Sequence, residues 1–168
     1  MPELEPDAEI PPEVLEFFVP EVEEHLQAIT DCLLALEANP NEEDIHRLFR
    51  AMHTIKGSAA QVGWQRIATI AHRAEDLVGK LRDGELRPSA TIIDLCLESV
   101  DVLKKTIYHQ WTDEASFQLG ARTLMARLQN VAPAEVEPPA ATKLATTTAE
   151  SEPRSAPAPA TSPGSPRA

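Results

Sequence analysis

The stretch AMHTIKGSAAQVG, at residues 51–63, is the part of the sequence around which the predicted fold is built. Apolar residues precede it and continue through it at the spacing that places one face of an α-helix against a core. They are Ile45, Leu48, Phe49, Met52, Ile55, Ala59 and Val62. His53 lies at the edge of this stripe, where an imidazole can reach solvent while its helix holds it in place. The stretch predicts a packed helix that carries an exposed histidine.

Four further helical patterns flank this helix, and no alternation typical of β-strands occurs. The first pattern starts at residue 11 and contains Pro20, which predicts either a kink or a short helix followed by a second one. The later patterns begin near Trp64, at Pro88-Ser89 and near Asp113. The chain is therefore predicted to be all-α, an antiparallel up-and-down four-helix bundle with an additional C-terminal helix.

The ends of the predicted helices carry recognisable capping residues. Asn41, followed by three acidic residues, is a good N-cap for the helix of His53, and Gly63 closes that helix. Gly84 ends the next one. The apolar residues assigned to the core of the first and last helices include Phe17, Leu34 and Leu119.

Composition divides the chain into three parts. Residues 1–10 are predicted to be a disordered acidic lead, and residues 11–131 form the helical bundle. Residues 132–168 hold 8 of the 15 prolines and no Phe, Trp or Tyr, which predicts a flexible Pro/Ala-rich tail. A linker in that position favours a chain that is the front piece of something longer.

Charge and cysteine content exclude several classes of function. The net charge is -12 and the first basic residue is Arg47, so a nucleic-acid-binding role is not expected. Cys32 and Cys96 lie among apolar residues, which favours two reduced core thiols. No signal peptide or long apolar run is present. We expect a cytosolic protein without direct membrane contact.

His53 and Glu75 lie equally far in sequence from Trp64, where the second and third predicted helices turn. Lys56 is level with His72 by the same count. For one hand of the helical hairpin His53 and Glu75 face one another, and for the other hand they turn away; the pattern does not choose. If they face, Glu75 can accept a hydrogen bond from one imidazole nitrogen and leave the other with its lone pair exposed.

An imidazole held in this way is a nucleophile. Lys56, one turn on, would add positive charge near a phosphoryl group, and Gly57 leaves no side chain between His53 and an approaching partner. Two alternatives stay open. One is a metal site built from His46, His53, His72 and Glu75, although only one reversed Glu/His pair of the kind that such bundles use occurs. The other is a purely structural bundle.

Several segments in order resemble the histidine phosphotransfer (HPt) domain of CheA-type chemotaxis histidine kinases. They are FFVPEVEEHLQAI, LFRAMH, HTIKGSA, AHRAEDL, RDGEL and IIDLCLESVDVLKK, which together span about residues 10–107. The resemblance implies an up-and-down helical bundle. It maps the phosphorylated histidine of that family to His53, its lysine to Lys56, its glycine to Gly57, and its hydrogen-bonding histidine and glutamate to His72 and Glu75.

The same resemblance implies a function. His53 would receive the γ-phosphoryl group of ATP from a separate histidine kinase catalytic domain and pass it to an aspartate of a response-regulator receiver domain. No phosphate-binding loop is visible in this chain, so ATP and Mg would be bound by the kinase domain and no cofactor or metal is expected here. Any association with a receptor array would be through other domains. A stand-alone phosphorelay protein is the alternative.

Overall fold

The computed structural model describes residues 2–132 of the chain. In that part it contains five α-helices and no strand. They are α1 (Pro12–Ala38), α2 (Glu42–Val62), α3 (Gln65–Arg82), α4 (Ala90–Ile107) and α5 (Glu114–Gln129). The all-α prediction is confirmed. None of these helices is long and apolar enough to cross a membrane. The tail predicted for residues 132–168 lies, from residue 133 onward, outside the described residues.

The first four helices form a closed ring. Each packs against the next along the chain, and α1 also packs against α4, while α5 lies against α3 and α4. Short connections between consecutive helices impose the antiparallel order. The predicted four-helix bundle with one additional helix is therefore confirmed, and α2 and α3 form the hairpin on which the functional residues were expected.

The core is built from aliphatic side chains supplied by all five helices. The larger ones that are fully buried are Leu26, Ile29, Leu33, Leu36, Leu48, Met52, Ile55, Ile67, Ile70, Leu77, Ile92 and Leu103. Three residues assigned to the core from the sequence are instead exposed, namely Phe17, Leu34 and Leu119. Each is adjacent in sequence to a buried residue, and the 100° step per residue carries it off the core-facing stripe.

Pro20 lies inside one continuous helix, so the predicted alternative of two separate helices is wrong. Its side chain is on the exposed face of α1. Phe18 and Val22, on either side of it, are buried in the core. The packing of these flanking residues offsets the backbone hydrogen bond that proline cannot make.

The predicted caps are present at the helix ends. The Asn41 side chain accepts a hydrogen bond from the Asp44 backbone N–H at 2.8 Å, and Ser89 and Asp113 cap α4 and α5 in the same way. Gly63 closes α2 with a φ of 85°, a left-handed conformation that favours glycine. The α2–α3 turn is thus set by local chemistry.

The acidic lead is packed onto the bundle, which corrects the expectation of a disordered segment. The carboxylate of Asp7 accepts hydrogen bonds from the backbone N–H groups of Gln65, at 2.6 Å, and Arg66, at 3.2 Å. It thereby caps the N-terminus of α3, whose own preceding residue, Trp64, offers no side-chain cap. The Arg66 guanidinium in turn donates to the backbone carbonyl of Leu4.

Asp7→Ala should remove this cap. We expect the free energy of unfolding to fall by about 1 kcal/mol, the usual value of an N-cap, and amide exchange at Gln65 and Arg66 to accelerate. Urea denaturation and hydrogen–deuterium exchange measure the two effects. Glu9→Ala, which removes an exposed acid from the same segment, is the control. Equal exchange rates in both variants would contradict the capping role.

Candidate functional site

The α2–α3 hairpin has the hand that brings His53 and Glu75 together. Trp64 anchors the turn, since it is buried and packs on Phe18 with ring centroids 5.5 Å apart. Further from the turn, a Cβ atom built on Gly79 would lie 3.6 Å from Cε2 of Phe49, so α2 and α3 are in close contact there too. The level pairing expected from the sequence therefore holds along the hairpin.

His53 is tethered at one ring nitrogen and open to solvent elsewhere. Its Nδ1 lies 2.9 Å from Oε1 of Glu75, and 60% of its side chain is exposed. An ionised carboxylate can only accept hydrogen bonds, so Nδ1 is assigned as the donor. In the neutral ring the lone pair is then on Nε2. The site presents an oriented imidazole nucleophile at the protein surface.

Glu75 is a buried carboxylate with two cationic or proton-donating neighbours. Only 10% of its side chain is exposed, and its buried Oε2 lies 2.7 Å from Nζ of Lys56. Burial alone would raise the pKa of Glu75, but the hydrogen bonds and charges of Lys56 and His53 outweigh burial and hold the pKa below its usual value. The carboxylate is therefore ionised at neutral pH.

Lys56 occupies the position expected for it, one turn beyond His53 on α2. It is about three-quarters buried, with 27% of its side chain exposed, and its ammonium group reaches the edge of the site where Glu75 lies. Lys56 and His72 are equally far in sequence from Trp64 and were expected at the same height of the hairpin, but Lys56 forms its ion pair with Glu75. A long flexible side chain can cover the one-turn difference.

Gly57 leaves the surface beside His53 open. A Cβ atom placed on it would have no atom within 4 Å. Packing inside the described part of the chain therefore does not require a glycine here. The space that it leaves is available to an approaching molecule.

His72 is placed apart from the His53–Glu75 contact. Its side chain is 57% exposed, and its Nε2 lies 3.5 Å from Oδ1 of Asp76, one turn further along α3. His72 thus lies on the exposed side of α3. A role for His72 in the site stays a prediction.

Two residues of the site were not identified from the sequence. The Phe49 ring stacks with the His53 imidazole, with centroids 6.1 Å apart and an angle of 18° between the planes. The Arg82 guanidinium lies 4.1 Å from the centroid of the Phe49 ring. The spacing of Phe49 and His53, four residues apart on a helix, was the available signal, but Phe49 was assigned to the core stripe.

The metal alternative needs a cluster of ligands. Among residues 2–132 no group of three or more His, Cys, Asp or Glu side chains is arranged to hold a metal ion. His46 is exposed on α2, and His53 and His72 have separate carboxylate partners. These residues therefore do not converge as the alternative requires.

A family model described as the Hpt domain matches residues 13–112 of the chain. The relatives named chemotaxis protein CheA include the following three. That of Halobacterium salinarum is 39% identical over 88 residues, 52% of this chain and 13% of that protein. That of Listeria monocytogenes is 33% identical over 100 residues, 57% and 16% of the two chains. That of Rhizobium meliloti is 31% identical over 147 residues, which are 87% of this chain and 18% of that protein.

Two solved structures share the fold. The phosphorylated P1 domain of CheA3, in complex with CheY6 from R. sphaeroides, has a TM-score of 0.61 and 29% identity, and the match covers 70% of this chain and 93% of that one. The CheA phosphotransferase domain from Thermotoga maritima has a TM-score of 0.56 and 36% identity, and the match covers 58% of this chain and 93% of that one. The chain thus spans nearly the whole of these solved domains but less than a fifth of the relatives' length.

Acidification should weaken the site. The pKa of Glu75 is lower in the folded protein than the usual glutamate value of about 4.3. The ionised carboxylate therefore stabilises the fold above that pH. This contribution to the free energy of unfolding is lost as the pH falls through the lower folded pKa. Between about pH 6 and pH 3, the free energy of unfolding measured by urea denaturation should therefore fall more steeply for wild type than for Glu75→Gln. Glu24→Gln, at an exposed position on α1, should follow wild type. Parallel curves for wild type and Glu75→Gln would contradict the lowered pKa.

Proposed function

This chain belongs to the Hpt domain family, and from that membership we propose that it is a phosphocarrier of the CheA type in which His53 is the residue phosphorylated. The proposal depends on one observation. Nδ1 of His53 lies 2.9 Å from Oε1 of Glu75, while 60% of the His53 side chain is exposed. One ring nitrogen is bound and the other is free to react. Such an arrangement suits a histidine that must accept a group from one protein and release it to another.

The proposed reaction is an in-line displacement at phosphorus. The Nε2 lone pair of His53 forms the N–P bond while the bond between the γ-phosphorus of ATP and its bridging oxygen breaks, and that electron pair leaves with ADP. The ring gains positive charge as the bond forms. The Glu75 carboxylate, fixed at Nδ1, stabilises that charge.

Lys56 is proposed to act on the phosphoryl group. Its ammonium lies one helical turn from His53 and is held at the site by Glu75, at 2.7 Å. From there it can face the equatorial oxygens of the transferring group, where charge accumulates. Glu75 would thus position both the nucleophile and the cation.

The donor and acceptor are proposed to be separate proteins or domains. ATP and Mg²⁺ would be held by a histidine kinase catalytic domain, and the phosphoryl group would pass from His53 to an aspartate of a response-regulator receiver domain. Similarity to a P1 domain solved in complex with CheY6 supports the second partner. The kinase domain is proposed because the chain covers only 13% and 16% of the first two CheA relatives.

Incubation of the chain with ATP and a CheA-type kinase core should add one phosphoryl group to His53. Intact mass should rise by one phosphate, the group should be lost in acid and kept in base, and His53→Gln should remain unmodified. His25→Gln, on α1, is the control because it removes a different histidine, whose carboxylate neighbour is Glu21 rather than Glu75. Phosphorylation of His53→Gln equal to wild type, or none of wild type by a core active on another carrier, would contradict the proposal.

Lys56→Met should slow phosphorylation by about tenfold or more, because a positioned cation no longer faces the transferring group. Methionine keeps the apolar stem but leaves the buried Oε2 of Glu75 without its ammonium partner, so the melting temperature should fall as well as the rate. Lys104→Met, on α4, is the matched control. Single-turnover phosphorylation gives the rate and circular dichroism the melting temperature. An unchanged rate in a folded Lys56→Met protein would exclude a role in transfer.

A further inference from the structure

His53 has two fixed neighbours, and only one of them is a hydrogen-bond partner. The Glu75 contact holds Nδ1, but a single hydrogen bond leaves the imidazole free to rock about it. The terminal torsion of histidine is intrinsically broad, so the helix alone does not fix the ring plane. The direction in which Nε2 points therefore depends on what lies against the flat side of the ring.

Phe49 supplies that second neighbour. It lies one turn before His53 on α2, where residues four apart share a helix face. The two rings are nearly parallel, 18° apart, with centroids separated by 6.1 Å, within the range of offset aromatic stacking. The stacked ring and the Glu75 hydrogen bond together restrict both the position and the plane of the imidazole.

Phe49 is itself held by α3. The Arg82 guanidinium lies 4.1 Å from its ring centroid, and Gly79 brings the α3 backbone close to its edge. Arg82 is the last residue of α3, where a cation is favoured by the helix dipole. It is also oriented by Asp83, whose Oδ1 accepts from Nε at 3.1 Å. The contacts form a connected set, Arg82 on Phe49 and Phe49 on His53.

We propose that Phe49 is a positioning residue for His53, and that Arg82 holds Phe49 in the conformation that aims Nε2 outward. The inference rests on the proposed function, since it assigns a task in the transfer step. In-line attack at phosphorus tolerates little misalignment of the nucleophile. Phe49 touches neither the phosphoryl group nor a nucleotide in this scheme. It acts through the imidazole.

Phe49→Leu keeps an apolar side chain and removes the flat face. We expect its phosphorylation kcat, with a CheA-type kinase core and ATP, to fall by about tenfold, since loosened positioning raises the barrier. The KM for the carrier chain should stay within about twofold because docking is untouched. Phe49→Tyr, which keeps the ring, should restore the rate. Arg82→Gln should lower kcat by a smaller factor. The control Arg122→Gln, at an exposed site on α5, should leave kcat unchanged.

Ring ¹⁵N NMR of His53 provides a second readout that needs no kinase. The Glu75 hydrogen bond should keep the neutral ring in the Nδ1–H tautomer in all three proteins. Relaxation of the ring ¹⁵N signals should show a rigid imidazole in wild type and Phe49→Tyr and a mobile one in Phe49→Leu. The two readouts separate the two proposals. If wild type is not phosphorylated but the NMR result is as expected, the carrier function alone is overturned. A wild-type kcat and wild-type ring mobility in Phe49→Leu, or a change confined to KM, overturns the positioning role.

If Phe49→Leu fails to fold, as circular dichroism would show, Arg82→Gln decides. This variant removes the guanidinium from the surface and leaves the core side chains in place. A reduced kcat with an altered His53 ring signal supports the connected set. Wild-type kcat and ring signal in folded Arg82→Gln overturn it.

Discussion

The buried carboxylate of Glu75 is the constraint on which the functional arrangement depends. An ionised group with only 10% of its side chain exposed is unstable unless its oxygens have partners, and the partners here are His53 on one oxygen and Lys56 on the other. Satisfying the carboxylate therefore fixes two side chains of α2 at once. The same contacts compensate the buried charge and place the exposed imidazole of His53.

The bundle can hold such a group because the hairpin around it is rigid. Gly63 and the buried Trp64 set the turn, and the closed ring of α1 to α4 prevents α2 and α3 from sliding. The apolar stripe of each helix faces the core, so the edges of the two stripes meet along the seam between them. His53 and Glu75 lie on those edges. A residue at this boundary can be immobilised on one side and exposed on the other, which a core or a fully solvated position does not allow.

Local features made the helices and the exposed position of His53 predictable. Asn41, Gly63 and the apolar periodicity each act within a few residues, so the bounds of α2 follow from the sequence. The hand of the hairpin does not, because it depends on how α1 and α4 close the ring. The packing of the lead was missed for a related reason: Asp7 meets Gln65 across 58 residues of sequence. Phe49 packs against the core as its spacing indicated, but the spacing did not reveal the stacking of its ring on His53, because periodicity gives only the face of a helix.

The charged side chains nearest His53 form pairs of opposite sign, unlike the acidic excess of the whole chain. A protein with a net charge of -12 repels ATP and other phosphorylated molecules at long range. At physiological ionic strength, however, interactions between exposed charges fade beyond about 8 Å. Beside the imidazole, the Lys56 ammonium is paired with the Glu75 carboxylate, and the Arg82 guanidinium, which lies on the Phe49 ring, is paired with Asp83. Within that distance these pairs add no net negative charge beside His53. The acidic surface elsewhere is therefore compatible with an anionic group at this one position.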